Sequence, residues 1–286
     1  MTTKIYTKQF KEMLPILFKA KSHFINSFGG KLDTVDGIRN NEKAFIVKVS
    51  DMDVIVNDYD ETKDIDGGRL GKMQEIIATD LEVDYEATKS INEGVDIATV
   101  NDDLDQITAE RMEKQSEAVA KLIDTSCGNR LSAMASKTLT GELTEAGVTK
   151  MFNDASKEFT QNEVNTDITK RAYVVSDVYN FLVDSKLATT GKNSSVNIDT
   201  NQYYMFKGFV LHEVPTARFK AGESAYFVAD NIGKVFAGFN EYRVITENVG
   251  FFGVALQSLI KYGSYVPESN TKAILKGKLT EPKVGE

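Results

Sequence analysis

Asp102–Lys137 most restricts how this chain can fold. Leu104, Ile107, Met112, Val119, Leu122, Ile123, Cys127, Leu131 and Met134 recur near the helical period, with a gap around Gln115. Asn101 or Asp102 suits the N-cap, because a short polar side chain there accepts from the unpaired N–H groups of the first turn. Glu110 with Lys114, and Glu117 with Lys121, are i,i+4 pairs in the favourable order on the opposite face. Unbroken to Lys137, such a helix would be ~50 Å long at about 1.5 Å per residue, far beyond the ~11–12-residue mean. It would cross a whole domain. Gly128 is its weak point, costing about 1 kcal/mol relative to alanine and marking a place for a kink or an early end. Leu122 falls on the apolar stripe, so Leu122→Asp is expected to abolish folding by burying an unpaired charge.

Residues 1–31 carry six lysines and one acid, Glu12. Phe10, Met13, Leu14, Leu17 and Phe18 share a helical face. Pro15 suits a first turn, so a helix is expected from near Leu14 to the Gly29-Gly30 stop. Such a segment either docks on a neighbour or packs on its own domain. If it is an arm, removing residues 1–28 should leave a folded core.

Phe45, Val47 and Val49 alternate, and Met52, Val54 and Val56 alternate after the Ser50-Asp51 step, which reads as β structure with a hairpin or bulge. Asn57–Lys72 is acidic and glycine-containing, a loose tip with little to bury. Ile76, Ile77, Leu81, Val83 and Tyr85 give a returning strand. A lone ribbon is marginal in water and must lie on something.

Beyond Gly141 the pattern is compact α/β. Thr144 caps a helix through Met151, Phe152, Ala155 and Phe159, with Leu143 stapled to Val148. A strand at Ala172–Val175 precedes a helix capped by Ser176 that carries Val178, Phe181 and Leu182. Gly191–Ser195 reads as a turn or exposed loop. Strands follow at Tyr203–Phe206, Phe209–Val214, Ala225–Ala229, Lys234–Ala237, Glu241–Thr246, Phe251–Ile260 and Lys272–Leu275, with a polar, frayed tail from Lys276.

The residue inventory narrows the function. The 286 residues include one cysteine, so no intrachain disulfide forms; two histidines, His23 and His212; and a net charge of −8 that disfavours general nucleic-acid binding. His212 reads as a satisfied polar strand residue and Cys127 as a buried one. No Walker loop, GxGxxG, GxSxG or HExxH spacing occurs, and the acidic run 51–66 does not follow an EF-hand. No metal, cofactor or catalytic group is assigned. No run reaches the ~20 apolar residues of a membrane span, and the short one after the N-terminal lysines lacks a cleavage site, so a cytoplasmic product is expected.

The order of parts resembles the major capsid protein of tailed double-stranded-DNA phages, in the HK97-like fold. The local likeness is greatest at Glu93–Asp102 running into Lys121–Asp124, similar to the start and body of that family's spine helix. It is also clear at Leu259–Pro267, similar to its last peripheral strand. The resemblance implies an α+β chain with an N-terminal arm (1–31), an extended β-loop (32–92), a spine helix of the peripheral domain (93–140), an axial domain (141–240), and peripheral strands with a tail (241–286). It implies self-assembly into hexamers and pentamers of a shell enclosing DNA without sequence-specific binding, no membrane, a portal, and a separate scaffolding protein, because only about thirty residues precede the β-loop. Candidate self-assembly contacts are Phe10, Leu14, Leu17 and Phe18 in the arm and Asp58, Lys63, Asp64 and Arg69 in the loop. Lys48, Lys63 and Lys72 lie where some relatives form lysine–asparagine crosslinks, but nothing specifies that chemistry here. The alternatives are an encapsulin-like nanocompartment shell, or a soluble α/β enzyme using carboxylates such as Asp177 and Glu213.

Overall fold

A computed structural model of the chain describes residues 22–35, 43–49, 54, 56–63, 68–73, 75–76, 79–96, 104–184, 189–190, 204–246 and 250–281. The arm positions Phe10, Met13, Leu14, Leu17 and Phe18, the loop residue Asp64, the candidate caps Asn101 and Asp102, and the turn at 191–195 lie outside them.

Helix α1 runs unbroken over Leu104–Met134 for 31 residues, about 46 Å. Gly128 does not break it. A Cβ there would stand 2.3 Å from the Arg218 carbonyl oxygen and 3.2 Å from the Phe24 ring, so the glycine lets two segments press against the helix. The helix stops at Met134 because strand β5 (Lys137–Glu142) begins three residues later.

Two sheets flank this helix. A four-stranded sheet has the order β1-β11-β12-β4, from β1 (Leu32–Thr34), β11 (Lys234–Ile245), β12 (Gly253–Tyr265) and β4 (Ala87–Asp96). A seven-stranded sheet has the order β5-β13-β10-β6-β9-β8-β7, from β6 (Lys170–Val174), β7 (Thr189–Thr190), β8 (Tyr204–Phe206), β9 (Phe209–Glu213), β10 (Ala225–Ala229) and β13 (Ile274–Thr280) with β5. Helix α2 (Glu145–Gln161) buries Val148, Met151, Phe152, Ala155 and Phe159; Thr144 caps it by accepting from the Gly147 N–H at 3.1 Å. Helix α3 (Ser176–Asp184) buries Val178 and Leu182. Phe152 meets Phe227 at 4.9 Å and Phe206 at 5.0 Å edge to face, and Phe159 meets Phe209 at 5.4 Å.

Several expectations need correction. Glu93–Asp96 is not part of the helix; it ends β4, which pairs antiparallel with β12. The strand reads as polar because it lies at a sheet edge, where only Val95 is fully buried. Lys234–Ala237 and Glu241 onward are one strand, with a register shift between Ala237 and Phe239 that absorbs the break in alternation. That strand crosses residue 240. The tail from Lys276 is not frayed as far as Thr280, since β13 pairs parallel with β5 and antiparallel with β10. Residues 241–286 are thus divided between both sheets.

The described part of the basic N-terminal stretch is not a separable arm. A single 3-10 turn, Ile25–Phe28, ends at Gly29 and drives Phe24, Ile25 and Phe28 into the core. Phe24 packs edge-on to Tyr173 at 4.8 Å and to Phe219 at 6.3 Å, beneath α1. Removing residues 1–28 would therefore hollow the core. On α1 the fully buried apolar positions are Met112, Val119, Ala120, Ile123, Cys127 and Leu131, while Leu122 sits half-buried at the margin. Leu122→Asp is accordingly milder than expected from the stripe alone.

Phe24→Ala is predicted to cost ~3–5 kcal/mol of stability, and Leu122→Ala clearly less, as read by urea unfolding. Equal costs would contradict this packing.

Candidate assembly surfaces

Among the described residues the least self-sufficient part is the ribbon of β2 (Lys43–Val49) and β3 (Thr79–Asp84). These strands pair antiparallel, Phe45 opposite Val83 and Val47 opposite Leu81. Val49 therefore faces Thr79 across the pair, and the expected hairpin or bulge at Ser50-Asp51 lies outside the described residues. Eight of the twelve large apolar side chains exposed among the described residues lie between Ile46 and Leu81. Val56 is 90% and Met73 93% exposed. Isolated exposed apolar side chains are ordinary, but their concentration on the ribbon sets it apart from the rest of the described surface.

The ribbon's outer part is better organised than a loose tip. Asp60 Oδ1 accepts from Thr62 Oγ1 at 2.6 Å and from the Thr62 N–H at 3.0 Å, and these bonds hold its carboxyl below the ordinary range. The Asp60 N–H donates to the Arg69 carbonyl at 3.1 Å, and Arg69 Nε donates to the Lys63 carbonyl. The structure thus brings the candidates Lys63 and Arg69 together and leaves Asp58 exposed nearby.

Four carboxylates fix the frame from which the ribbon projects. Asp124 on α1 is 1% exposed at its side chain; Oδ1 accepts from the N–H groups of His23 at 2.9 Å and Phe24 at 3.0 Å and from Ser22 Oγ at 3.0 Å. Arg218 stands 3.6 Å from Oδ2 and donates to Thr125 Oγ1 at 3.1 Å. Glu86, where the ribbon joins β4, accepts from Arg130 at 2.9 Å and from Ser126 and Ser264. Glu93 binds Arg111 and, at 3.0 Å, Gln115; the Arg111 bond foremost keeps its carboxyl below the usual range. Glu223 is 2% exposed at its side chain and meets Ser132 at 2.9 Å, Tyr226 at 2.6 Å and Lys276 at 3.1 Å. Burial pushes the Glu223 carboxyl up, but these donors outweigh it and hold the group below the ordinary range. Sequence reading missed these ties. Their one signal was the break in the apolar stripe at Gln115, Ser116 and Asp124.

His212 Nε2 accepts from Arg171 at 2.7 Å, and the ring lies 5.5 Å from Tyr173. Arg171 also grips Asp230, at 2.8 Å through Nη2. Cys127 is 1% exposed, and burial foremost pushes its thiol up. Asp177 and Glu213 lie exposed, in the first turn of α3 and at the end of β9. Among the described residues no cluster of three or more His, Cys, Asp or Glu could hold a metal, and no helix is long and apolar enough to cross a membrane. An open depression of about 580 Å³ is lined by α2 alone, from Glu145 to Asp154.

Burial and then the Arg171 charge lower the His212 imidazole to about 4. The unfolded chain takes up this proton near pH 6.5 and the folded chain only near pH 4, so the stabilisation is complete above ~6.5 and lost as pH falls between these values. Thermal melts should show a loss of about 2 kcal/mol across that window, allowing for partial exposure, and His212→Gln should flatten it. A flat parental profile would contradict this setting.

No family model matches the sequence, and no curated protein matches it. Solved structures match along nearly the whole chain. The subunit in the asymmetric unit of the bacteriophage PhiM1 mature capsid has a TM-score of 0.66 at 13% identity, over 91% of this chain and 88% of that one. The capsid of Ralstonia phage GP4 matches at 0.61 and 11% identity, over 93% of each chain. The virus-like particle from Pyrococcus furiosus matches at 0.55 and 12%, over 96% of this chain and 99% of that one. The chain has the α+β, HK97-like fold of phage capsid subunits.

Proposed function

We propose that this chain is the major capsid protein of a tailed double-stranded-DNA phage, a structural subunit and not an enzyme. The observation that carries this reading is the ribbon: it exposes Ile46, Val54, Val56, Leu70, Met73 and Ile76, which no described residue of its own chain covers. A neighbouring copy supplies that cover. The fold shared with phage capsid subunits supports the same reading. On it, subunits associate through the ribbon, with Asp58, Lys63, Asp64 and Arg69 near its end, and through Phe10, Leu14, Leu17 and Phe18. They form hexamers and pentamers of a closed virion shell, made in the host bacterial cytoplasm and completed by a portal. DNA is enclosed without sequence-specific contacts. The proposed layout is a peripheral domain around α1 and the four-stranded sheet, and an axial domain around the seven-stranded sheet.

The second reading is a nanocompartment shell; the likeness to the virus-like particle from Pyrococcus furiosus, over nearly all of both chains, fits a closed shell of either kind. Expression alone and with phage assembly factors, followed by electron microscopy, separates the two. Closed shells that fill with DNA support the capsid; shells that co-purify one cargo protein support the compartment. A chain that stays monomeric under every condition overturns both.

Protease is predicted to cut free subunits within residues 63–71 and to spare this site after assembly. Equal cleavage before and after assembly would remove the ribbon from the interface. Deleting residues 1–20, which spares Phe24 and Asp124's partners, is predicted to leave the melting temperature unchanged while impairing shell formation; normal shells would remove the arm assignment.

A further inference from the structure

The ribbon leaves the four-stranded sheet at a built junction. Strand β3 ends at Asp84, and β4 begins at Ala87 opposite Tyr262. Between them stands Tyr85. Its ring lies 5.6 Å from Phe236 and carries the Lys261 ammonium 4.7 Å above it. From the other ribbon strand, Phe45 packs edge-on to Phe236 at 5.0 Å and to Tyr265 at 6.1 Å. Space for these rings comes from two glycines. A Cβ at Gly238 would stand 2.3 Å from the Tyr85 hydroxyl oxygen and 2.5 Å from its Cζ, and one at Gly263 would stand 2.6 Å from the Phe236 ring. Gly238 is also where the pairing of β11 with β12 slips. The bulge therefore opens a seat in the sheet, and the seat is filled by the one residue at which the ribbon departs. Glu86, next in sequence, is tied to Arg130 and Ser264, so the chain is fixed just beyond the ring.

We propose that Tyr85, seated over the Gly238 bulge, is the positioning residue that sets the angle at which the ribbon leaves the sheet, and that this angle sets the curvature of the assembled shell. The first half stands on the junction itself; the second rests on the proposed function. A ribbon is a lever. Asp80 lies about 16 Å up the strand from Tyr85 at ~3.3 Å per residue, so a ~15° swing moves it by about 4 Å. Angular error of that size changes where each subunit meets the next.

Spin labels at Asp80→Cys and Lys121→Cys, both exposed, report the ribbon-to-helix distance in the unassembled chain, and the buried Cys127 is shielded from labelling. The parental chain and Tyr85→Phe, which keeps the ring, should share one distance maximum. Tyr85→Ala, which empties the seat, and Gly238→Ala, which expels the ring, should shift or broaden it while circular dichroism stays native. An unchanged distribution in a folded Tyr85→Ala or Gly238→Ala chain overturns the positioning role. So does a Tyr85→Phe chain that behaves like Tyr85→Ala. In shells, Tyr85→Ala should give particles of altered or mixed diameter, and uniform parental diameter despite a moved ribbon overturns the curvature claim. A parental chain that forms no shells overturns the proposed function and the curvature claim together, while the distances still decide the role of Tyr85.

Discussion

Asp124 holds the molecule together at its crossing point. A carboxylate withdrawn from water is costly unless donors surround it, and here one oxygen receives three, two of them backbone N–H groups of residues 23 and 24. That anchoring places the Phe24 ring between α1 and the seven-stranded sheet, where it meets Tyr173, Phe219 and Tyr226. The same carboxylate draws Arg218 toward α1, and the close approach of the Arg218 carbonyl is what Gly128 permits. Helix, N-terminal segment and sheet meet at one charge.

The other carboxylates repeat this logic along α1. Glu93 engages Arg111 and Gln115, Glu86 engages Ser126 and Arg130, and Glu223 engages Ser132. A long helix between two sheets would slide if held by apolar contacts alone, since such contacts are not directional. Charge-assisted hydrogen bonds have direction and fix its register. The ribbon gains its fixed base from this frame, through Glu86 at its junction with β4.

Much of this was legible in the sequence where one face is apolar and the other is not. The long helix and the capped helix at Thr144 follow directly from periodicity, and the strand at Ala225–Ala229 from a short apolar run buried on both faces. The ribbon's two strands were visible, but not their pairing, because alternation gives a strand without naming its partner. Strand β4 was hidden because an edge strand needs few apolar residues. The unity of β11 was hidden by the bulge at Gly238, which breaks the very alternation that reveals strands. The anchoring of residues 22–28 was illegible for a different reason. It depends on contacts about 100 residues apart, and the family resemblance placed these residues in an arm instead. Of the candidate contacts, Lys63 and Arg69 could be read as a charged loop, but not that one binds the carbonyl of the other.

Strand β13 lies inside the seven-stranded sheet, between β5 and β10, although it is the last strand in chain order. It closes the sheet by joining β5, from which it is separated by most of the later chain. During synthesis that slot stays empty until residues 274–280 have emerged, so the nascent chain cannot finish its core beforehand. The ribbon and its apolar side chains are made long before this. A chain whose β13 has not yet emerged therefore carries its exposed ribbon without a completed core behind it. The order of strands thus makes closure of this sheet a late event, set by the emergence of residues 274–280 rather than by the folding of what precedes them.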